Sequence, residues 1–287
     1  MPELPEVEIV KQSLDKNIKF KKIKKVIVRN RNLRLKIPKN FETLLKNKNV
    51  EKISRFSKYI ILHLSGGLFC IIHLGMSGTI HLVKKYKKNK FTNLSFYQSP
   101  ILPNKHNHVE IQFENFTIIY NDPRRFGSFV WAGKNPEKHK LLKNLGPEPL
   151  NNDKLGLHLH DLSKGRKTSV KAFVMNAHIV VGVGNIYASE SLFISGIHPK
   201  RRANAVSKNR YLKLAVAIQN TLEKSIKMGG TTLRDFTYSN AGEKVGYFKQ
   251  KLNVYGREGL QCSKCEQSIK SVLLSGRSSF YCSNCQH

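Results

Sequence analysis

The sequence predicts an α+β protein of more than one domain, and three features of its 287 residues support this. A helical pattern at the start is followed, from Ile23 to Trp131, by short β-like runs. Helical patterns take over from Thr168, and paired cysteines occupy residues 262–287. We therefore expect an N-terminal β-sandwich or flattened barrel with a leading helix, then a helical domain, then a small cysteine-containing module.

The leading helix is predicted to begin at Pro5, because proline suits the first helical turn. Glu6 and Glu8 suit the positive end of the helix dipole. Apolar residues then recur at helical spacing and mark the buried face: Val7, Val10 and Leu14.

Seven β-like runs follow, and glycine-rich turns at residues 66–67 and 75–78 punctuate them. The runs are Val26–Val28, Tyr59–Leu64, Leu68–Leu74, Thr79–Val83, Val109–Phe113, Thr117–Tyr120 and Ser128–Trp131. Cys70 lies inside the third run and is expected to be a buried small hydrophobic residue. The basic stretch Lys84–His108 contains asparagine and proline, and we interpret it as a long mobile loop.

A linker is predicted at Gly146–Pro149, which gives domains at residues 1–146, 147–248 and 249–287. The clearer helices of the middle domain are Ile186–Ser195 and Tyr211–Ile226. Gly196 suits the position just after the first of these helices, where a left-handed backbone ends a helix.

The formal net charge is +31, because 50 lysines and arginines outnumber 19 acidic residues. Charge of this size indicates a polyanionic partner, and nucleic acid is the first candidate. A lysine-rich composition bias explains the same excess, so charge alone indicates contact with an anion and no chemistry. The acidic start does not resemble a signal peptide, and no apolar run is long enough to span a bilayer. We expect a cytoplasmic protein with no membrane partner.

Two Cys-x-x-Cys pairs lie near the end of the chain, Cys262/Cys265 and Cys282/Cys285. Four thiolates at this spacing are typical of tetrahedral zinc, and a filled ligand shell makes the metal structural rather than catalytic. Iron or two disulfides are the alternatives. The basic and aromatic residues between the pairs, among them Arg277, suit a hairpin, although a solvated charge explains Arg277 equally well.

The segment Val180-Val-Gly-Val-Gly-Asn185 places two glycines before a predicted helix. Asn185 is expected to cap that helix, and free amides at a helix N-terminus suit a backbone phosphate. A tight turn between helices explains the same residues. No strand precedes the glycines, which argues against a nucleotide, so we expect no organic cofactor.

The turn Asp122-Pro-Arg-Arg-Phe-Gly127 lies between two β-like runs. Its guanidinium groups and its aromatic ring suit insertion into a duplex. An arginine there can contact a base edge or fill a gap in the base stack, and a phenylalanine can insert between two base pairs. A hairpin turn with two solvated arginines and a core phenylalanine explains the same residues equally well.

Proline follows the first methionine, and removal of Met1 would leave a secondary amine on Pro2. Such an amine can attack an aldehydic carbon and form a cationic iminium, which accepts electrons. An α-amino group titrates near about 8, so part of it is neutral at physiological pH. Glu3 beside it could donate or shuttle a proton. From these residues alone, the simpler interpretation is that Pro2 and Glu3 begin a helix.

Taken together, the residues resemble the bacterial formamidopyrimidine-DNA glycosylase family, the 8-oxoguanine DNA glycosylases, over essentially the whole chain. The motifs occur in order: Pro2-Glu-Leu-Pro-Glu6, Ser57-Lys58-Tyr59, His73-Leu-Gly-Met76-Ser-Gly78, Asp122-Pro-Arg-Arg-Phe-Gly127, Gly182-Val-Gly-Asn-Ile-Tyr-Ala-Ser-Glu190, Gly229-Gly-Thr-Thr232 and the four cysteines. The resemblance implies a helix-two-turn-helix domain and a zinc-finger β-hairpin. It also implies excision of oxidised purines from damaged double-stranded DNA by a monomer that acts as an AP lyase through β,δ-elimination.

The resemblance assigns catalytic roles residue by residue. Pro2 would be the Schiff-base nucleophile at C1′, Glu3 would protonate the sugar oxygen to open the ring, and Glu6 would support the site. Lys58 would contact the flanking phosphate and assist β-elimination. Arg277 would hold the lesion phosphate and act in δ-elimination.

Further residues would contact DNA without taking part in the chemistry. Met76, Arg124 and Phe126 would fill the gap left by an extruded nucleotide, with Arg124 facing the unpaired cytosine. The other implied DNA contacts are His106, Lys167, Lys171 and Asn185. Between Val83 and His106 the chain is longer and more basic than the family's usual loop, and the segment after Thr232 would cap the lesion.

Three other functions explain part of the sequence. An endonuclease VIII-type enzyme for oxidised pyrimidines shares the proline, the helical DNA-binding motif and the zinc hairpin, but the Asp122–Gly127 turn favours the purine enzyme. A catalytically silent nucleic-acid-binding protein has no need of Pro2, Glu3 and Lys58. A ribosome-associated zinc-ribbon protein explains the charge and the cysteines and leaves the first 150 or so residues unexplained.

Overall fold

The structure is a computed structural model that describes residues 2–84, 91–93, 103–229 and 252–287. The described residues fall into two compact units, one within Met1–Lys143 and one composed of Asn144–Met228 and Lys249–His287. The three-domain division at residues 146 and 248 stays a prediction, and the lesion-capping segment after Thr232 lies outside the described residues. Within the described ranges, no helix is long and apolar enough to cross a bilayer.

The first unit begins with the predicted helix, α1, which spans Leu4–Ile18. Its N-cap is Glu3, and Pro5 lies in its first turn, where a missing N–H has no effect on the helix. The predicted apolar face is buried and extends to both ends of the helix: Leu4, Val7, Val10, Leu14 and Ile18.

Within the described residues, nine strands and one short α-helix follow α1 in this unit. In chain order they are β1 (Lys25–Val28), α2 (Phe41–Leu45), β2 (Val50–Phe56), β3 (Tyr59–Leu64), β4 (Leu68–His73), β5 (Thr79–Lys84), β6 (Phe91–Asn93), β7 (Asn107–Gln112), β8 (Phe116–Asn121) and β9 (Ser128–Gly133). They form two antiparallel sheets of order β1-β7-β8-β5-β6 and β2-β3-β4-β9. One apolar cluster takes side chains from both sheets, which confirms the predicted sandwich.

All seven predicted β-like runs lie on observed strands, and Cys70 is fully buried as expected. Burial raises the pKa of its thiol to about 12. The expected loop Lys84–His108 is not structureless in its described parts. Residues 91–93 form β6, and Asn104–His106 form a 3₁₀ turn that leads into β7. Three residues that pair only with the edge of β5 are too few to produce a detectable alternation.

The second unit contains four α-helices within the described residues: α3 (Leu155–Ser163), α4 (Val170–Val174), α5 (Asn185–Ile194) and α6 (Lys208–Lys227). Gly196 has φ +70°, and the amide of Ile197 donates to the carbonyl of Leu192, so α5 ends as predicted in a left-handed cap. A two-stranded hairpin follows, formed by β10 (Lys270–Leu274) and β11 (Arg277–Tyr281).

Candidate functional site

The beginning of α1 holds two buried carboxylates directly after Pro2. Glu3 is 4% exposed and Glu6 is 3% exposed. They form a reciprocal capping box, in which the amide of Glu3 donates to Oε2 of Glu6 at 2.7 Å and the amide of Glu6 donates to the side chain of Glu3. Both carboxyl groups lie at the positive end of the helix dipole. Pro2 is buried as well, one position before Glu3 and four before Glu6.

Lys58 lies in the two-residue turn between β2 and β3, where Phe56 pairs with Tyr59. Ser57 has φ +58° and is 4% exposed, so the turn is constrained. Arg55 ties this turn to α1, because its Nε donates to Oε2 of Glu8 at 2.8 Å and its Nη1 donates to the carbonyl of Ser57 at 2.8 Å. Lys58 and the acids of α1 are therefore anchored to one another. No motif of the sequence analysis assigned a role to Arg55.

His73 lies beside Lys58, because it is the register partner of Tyr59 on the neighbouring strand. Burial, together with the positive charges of Lys58 and Arg34, lowers the pKa of His73 to about 4. The ring is neutral at physiological pH, and its Nδ1 accepts from the amide of Gly75 at 3.0 Å. The sequence motif contained His73 without assigning it a function.

Met76, Arg124 and Phe126, which we call the wedge residues, project from two loops of the sandwich. Met76 is 39% exposed and Phe126 is 42% exposed, which is unusual for side chains of this kind. The guanidinium carbon of Arg124 lies 4.7 Å from the ring centroid of Phe126. His106 lies at the start of the Asp122–Gly127 turn, because its carbonyl accepts from the amide of Asp122 at 3.0 Å. Met76 and Phe126 are fifty positions apart in the sequence, and the fold brings the loops that carry them into contact.

In the second unit, the prediction that Asn185 caps α5 is wrong. The N-cap is Gly184, in an extended conformation, and Asn185 is the first helical residue. Its side chain is bound elsewhere, because Nδ2 donates to the carbonyl of Ser278 in the hairpin at 3.1 Å. A cap needs a free side-chain oxygen facing the helix amides, and here that oxygen accepts from Lys171.

Lys171 is 1% exposed, although the sequence predicts that it contacts DNA. Its Nζ donates to Oδ1 of Asn185 at 2.6 Å, to the carbonyl of Ser278 at 3.1 Å and to Oγ of Ser279 at 2.7 Å. These bonds use the three donors of an ammonium group. DNA contact by Lys171 stays a prediction, and the geometry favours a role in fixing the hairpin. Arg277, at the start of β11, is exposed.

The four cysteines of the finger converge, and their ligand atoms all lie within 4.8 Å of one another. Sγ of Cys265 lies 3.4 Å from Sγ of Cys282, and the atoms of Cys262 and Cys285 are 3.9 Å apart. These separations are too long for disulfides and close to the roughly 3.8 Å expected between thiolates of a tetrahedral zinc site. A hydrogen bond from the side chain of Asn284 lowers the pKa of Cys265 to about 6, whereas desolvation raises the pKa of Cys282 and Cys285, so the support for a metal site is the geometry of the four sulfurs.

Glu190, the last residue of the Gly182–Glu190 motif, joins α5 to the segment before the cysteines. It is 2% exposed. Its Oε2 accepts from the amide and the side chain of Asn253, both at 2.8 Å, and its Oε1 accepts from the amides of Val254 and Tyr255, both at 2.9 Å. One buried carboxylate of α5 therefore holds residues 253–255, which we call the finger segment, in position.

Two family models match this chain and define the class of protein to which the fold and the site belong. Residues 1–129 match the formamidopyrimidine-DNA glycosylase N-terminal domain, and residues 145–237 match the formamidopyrimidine-DNA glycosylase H2TH domain. The H2TH match covers α3 to α6, and thus the helices that hold Lys171 and Asn185.

The chain belongs to the formamidopyrimidine-DNA glycosylase family. The formamidopyrimidine-DNA glycosylase of Marinobacter nauticus is 44% identical over 287 residues, with 100% of both chains covered. That of Legionella pneumophila is 43% identical over 100% of this chain and 98% of its own.

Solved structures agree with this assignment over the full length of the chain. Wild-type Lactococcus lactis Fpg in complex with DNA containing N7-benzyl-Fapy-dG has a TM-score of 0.84 and 29% identity, with 100% of both chains covered. The complex of Lactococcus lactis Fpg with DNA containing an abasic site has a TM-score of 0.83 and 30% identity, again with 100% of both chains covered. The predictions of family and fold are confirmed.

Proposed function

We propose that this protein is a base-excision-repair glycosylase that removes oxidised purines from duplex DNA and cleaves the abasic strand by β,δ-elimination. Relatives of the same length bear the glycosylase name, and similar Lactococcus structures hold DNA with a formamidopyrimidine or an abasic site. The observation that carries the proposal is the pair of buried carboxylates, Glu3 and Glu6, directly after Pro2. The capping box alone stabilises α1, but buried acids this close to a terminal amine are also what acid–base chemistry at that amine requires.

The chemistry follows from an amine beside an acid. Once Met1 is removed, the neutral nitrogen of Pro2 attacks C1′, the bond from C1′ to the base breaks, and the proton lost from the Pro2 nitrogen passes to the departing base. Glu3 gives its proton to the sugar oxygen, the ring opens and a cationic iminium remains. Loss of a proton from C2′ then expels the 3′ phosphate, a second elimination expels the 5′ phosphate, and water releases Pro2.

DNA binding is proposed to depend on phosphate contacts rather than on base reading. Lys58, Arg277 and Asn185 hold the phosphates near the lesion, while exposed Lys167 and half-buried His106 extend the contact. C1′ cannot be reached inside a stacked duplex, so the nucleotide is extruded, and the wedge residues offset part of the cost by refilling the gap. The remaining positive charge attracts any duplex, which suits a protein that searches DNA in the bacterial cytoplasm.

The metal held by the four cysteines is proposed to be one structural zinc ion. Four sulfur ligands leave no open coordination position for substrate, so the ion stabilises the fold of the hairpin that presents Arg277. Its place in the mechanism is therefore limited to keeping that arginine in position.

Borohydride trapping tests the proposal, because it reduces an iminium to a stable covalent bond. Protein that mass spectrometry shows to have lost Met1 is incubated with duplexes carrying 8-oxoguanine opposite cytosine or thymine glycol opposite adenine. The matched control is Pro2→Gly, which keeps a terminal amine and removes the secondary one. We expect an adduct on the 8-oxoguanine duplex that is sharply weakened in the control.

Each other outcome has a definite meaning. Preferential trapping on thymine glycol would assign the protein to the endonuclease VIII type of activity. An undiminished adduct with Pro2→Gly would place the nucleophile elsewhere. No adduct on either duplex would leave a DNA-binding protein without this chemistry.

A further inference from the structure

Two loops at one end of the sandwich carry all three wedge residues. The loop Gly75–Gly78 leads from β4 in the four-stranded sheet to β5 in the five-stranded sheet, and the loop Asp122–Gly127 leads from β8 back to β9. Both loops therefore cross between the sheets rather than closing a hairpin. They touch through their backbones, since an added Cβ at Gly75 would collide with Phe126 and Gly127.

Asp122 binds both loops at once. It is 0% exposed. Its Oδ1 accepts from the hydroxyl of Ser77 in the first loop at 2.6 Å and from the amide of Arg124 in its own loop at 3.2 Å. Its Oδ2 accepts from the amide of Gly127 at 2.9 Å. A buried charge with this many donors is stable only when all of them are in place, so its bonds restrict both loops together.

Tyr120 contacts Asp122 and both loops through its buried hydroxyl group. Its hydroxyl donates to Oδ2 of Asp122 at 2.9 Å and lies 3.2 Å from the carbonyl of Leu74. The same hydroxyl occupies the space into which a Cβ would project at Gly78 or Gly127, so each loop has a glycine where it passes the ring. Burial and the charge of Asp122 raise the pKa of Tyr120 far above its usual value, which keeps the hydroxyl a donor.

The wedge residues themselves have little packing to hold them. Met76, Arg124 and Phe126 are all exposed, so the order of their side chains depends on the order of the backbone that carries them. A wedge that must become ordered during base extrusion loses part of its stacking energy to conformational entropy. Fixing the loops in the free protein removes that cost before DNA binds.

We propose that Asp122 and Tyr120 are positioning residues that hold the wedge in its inserting geometry before DNA binds. The inference rests on the proposed function, in which the wedge residues refill the stack. Neither Asp122 nor Tyr120 touches the reacting atoms in this proposal. They act on the excision rate only through the two loops. Substituting them should therefore slow excision most where a paired nucleotide has to be extruded.

Tyr120→Phe tests this with the loss of one oxygen atom, and Asp122→Asn is the second variant. The matched control is Tyr211→Phe in the other unit, where an equally buried hydroxyl donates to the carbonyl of Ala203 at 2.9 Å. Single-turnover excision of 8-oxoguanine is measured on two duplexes, with the lesion opposite cytosine or opposite an abasic analogue that offers no base to unpair. Circular dichroism at the assay temperature confirms that each variant is folded.

For Tyr120→Phe we expect excision opposite cytosine to slow by about five- to tenfold, because only part of the loss of a hydrogen bond to a charged group is passed on to the order of the loops. Opposite the abasic analogue the loss should stay below about twofold, because less extrusion work is required. Tyr211→Phe should match the wild type on both duplexes. Met76→Ala, like Tyr120→Phe, should slow excision more opposite cytosine than opposite the abasic analogue. The excision rate of the double variant should fall by less than the product of the two single fold-changes.

The outcomes separate the wedge role of Met76, Arg124 and Phe126 from the positioning role of Asp122 and Tyr120. If Met76→Ala and Phe126→Ala excise equally well from both duplexes, the wedge itself is wrong. If they show the preference while Tyr120→Phe does not, the wedge stands and the positioning role is overturned. Equal losses on both duplexes, or strict multiplicativity with Met76→Ala, would also overturn it. Should Asp122→Asn fail to fold, Tyr120→Phe carries the test alone.

Discussion

Glu190 offers a quantitative test of how the finger is attached, because four hydrogen bonds converge on its carboxylate. The donors belong to Asn253, Val254 and Tyr255, directly before the cysteines. Val254 is buried in one cluster with Phe193, which belongs to α5, and with Cys262 and Cys282. Loosening the bonds of Glu190 therefore loosens the apolar support of the metal site.

The substitution Glu190→Gln keeps the shape and replaces one oxygen with an NH₂ group. That group faces two N–H donors of the chain, so two hydrogen bonds are lost and two buried donors have no acceptor. A hydrogen bond to a charged group contributes about 1.5–3 kcal/mol, so we expect the free energy of unfolding to fall by about 3–6 kcal/mol. With a urea m-value of about 1–3 kcal/mol per molar, the midpoint moves by at least about 1 M.

Zinc release into a chromogenic chelator, followed against urea concentration, measures this shift in the unit that contains the finger. Trp131 is the single tryptophan of the sequence and lies in β9, so its fluorescence follows the sandwich. We expect an earlier zinc release and an unchanged Trp131 transition. Glu223→Gln on α6 is the matched control, because Glu223 is only half-buried on a helix of the same unit. Zinc release at the wild-type urea concentration in Glu190→Gln would refute the reasoning.

Three further predictions concern binding, metal and pH. Lys58→Ala should weaken binding to damaged and undamaged duplexes about equally and lower the salt slope by about one unit; an unchanged slope would remove Lys58 from the phosphate contacts. Cys265→Ser should lose its metal by elemental analysis and bind lesion DNA poorly, whereas a folded, metal-free and fully active variant would contradict the structural metal. The folded pKa of His73, about 4, lies below its unfolded value of 6.5, so the unfolded chain binds more protons between these values. The stability of the sandwich should therefore fall by up to about 3 kcal/mol as pH drops through this window, and His73→Gln should lessen the fall in Trp131-monitored unfolding; an identical pH dependence would disprove it.

The sequence predicts the sandwich well because most of its strands have regular apolar patterns; besides the short β6, one longer strand was missed, for a physical reason. β2, Val50–Phe56, was not predicted. A register shift between Val50 and Lys52 interrupts its pairing with β3, so its buried residues do not alternate. A bulge of this kind removes the period of two on which the prediction depends. The strand matters to the site, since it carries Arg55 into the turn that presents Lys58.

The site was less predictable than the fold, because its residues are brought together by tertiary contacts. Without the family resemblance, Pro2 and Glu3 read as an ordinary helix start, and nothing local distinguishes Glu8 from any other surface acid. Arg55 reaches Glu8 across 47 positions, and Lys171 reaches Ser278 across 107. Such pairs have no spacing that a sequence pattern can reveal.

The buried charges of the second unit explain why the helices and the hairpin behave as one piece. Lys171 and Glu190 each lie at most 2% exposed, and their polar atoms bind residues of the hairpin and of the finger segment, respectively. Burying a charge costs several kcal/mol unless its hydrogen bonds are complete, so any shift of the hairpin leaves an unsatisfied charge behind. An apolar contact would tolerate sliding, because it has no direction. The position of Arg277 is thus determined in part by Lys171, whose bonds to Ser278 and Ser279 prevent the hairpin from sliding against α4, while Glu190 holds residues 253–255 against α5.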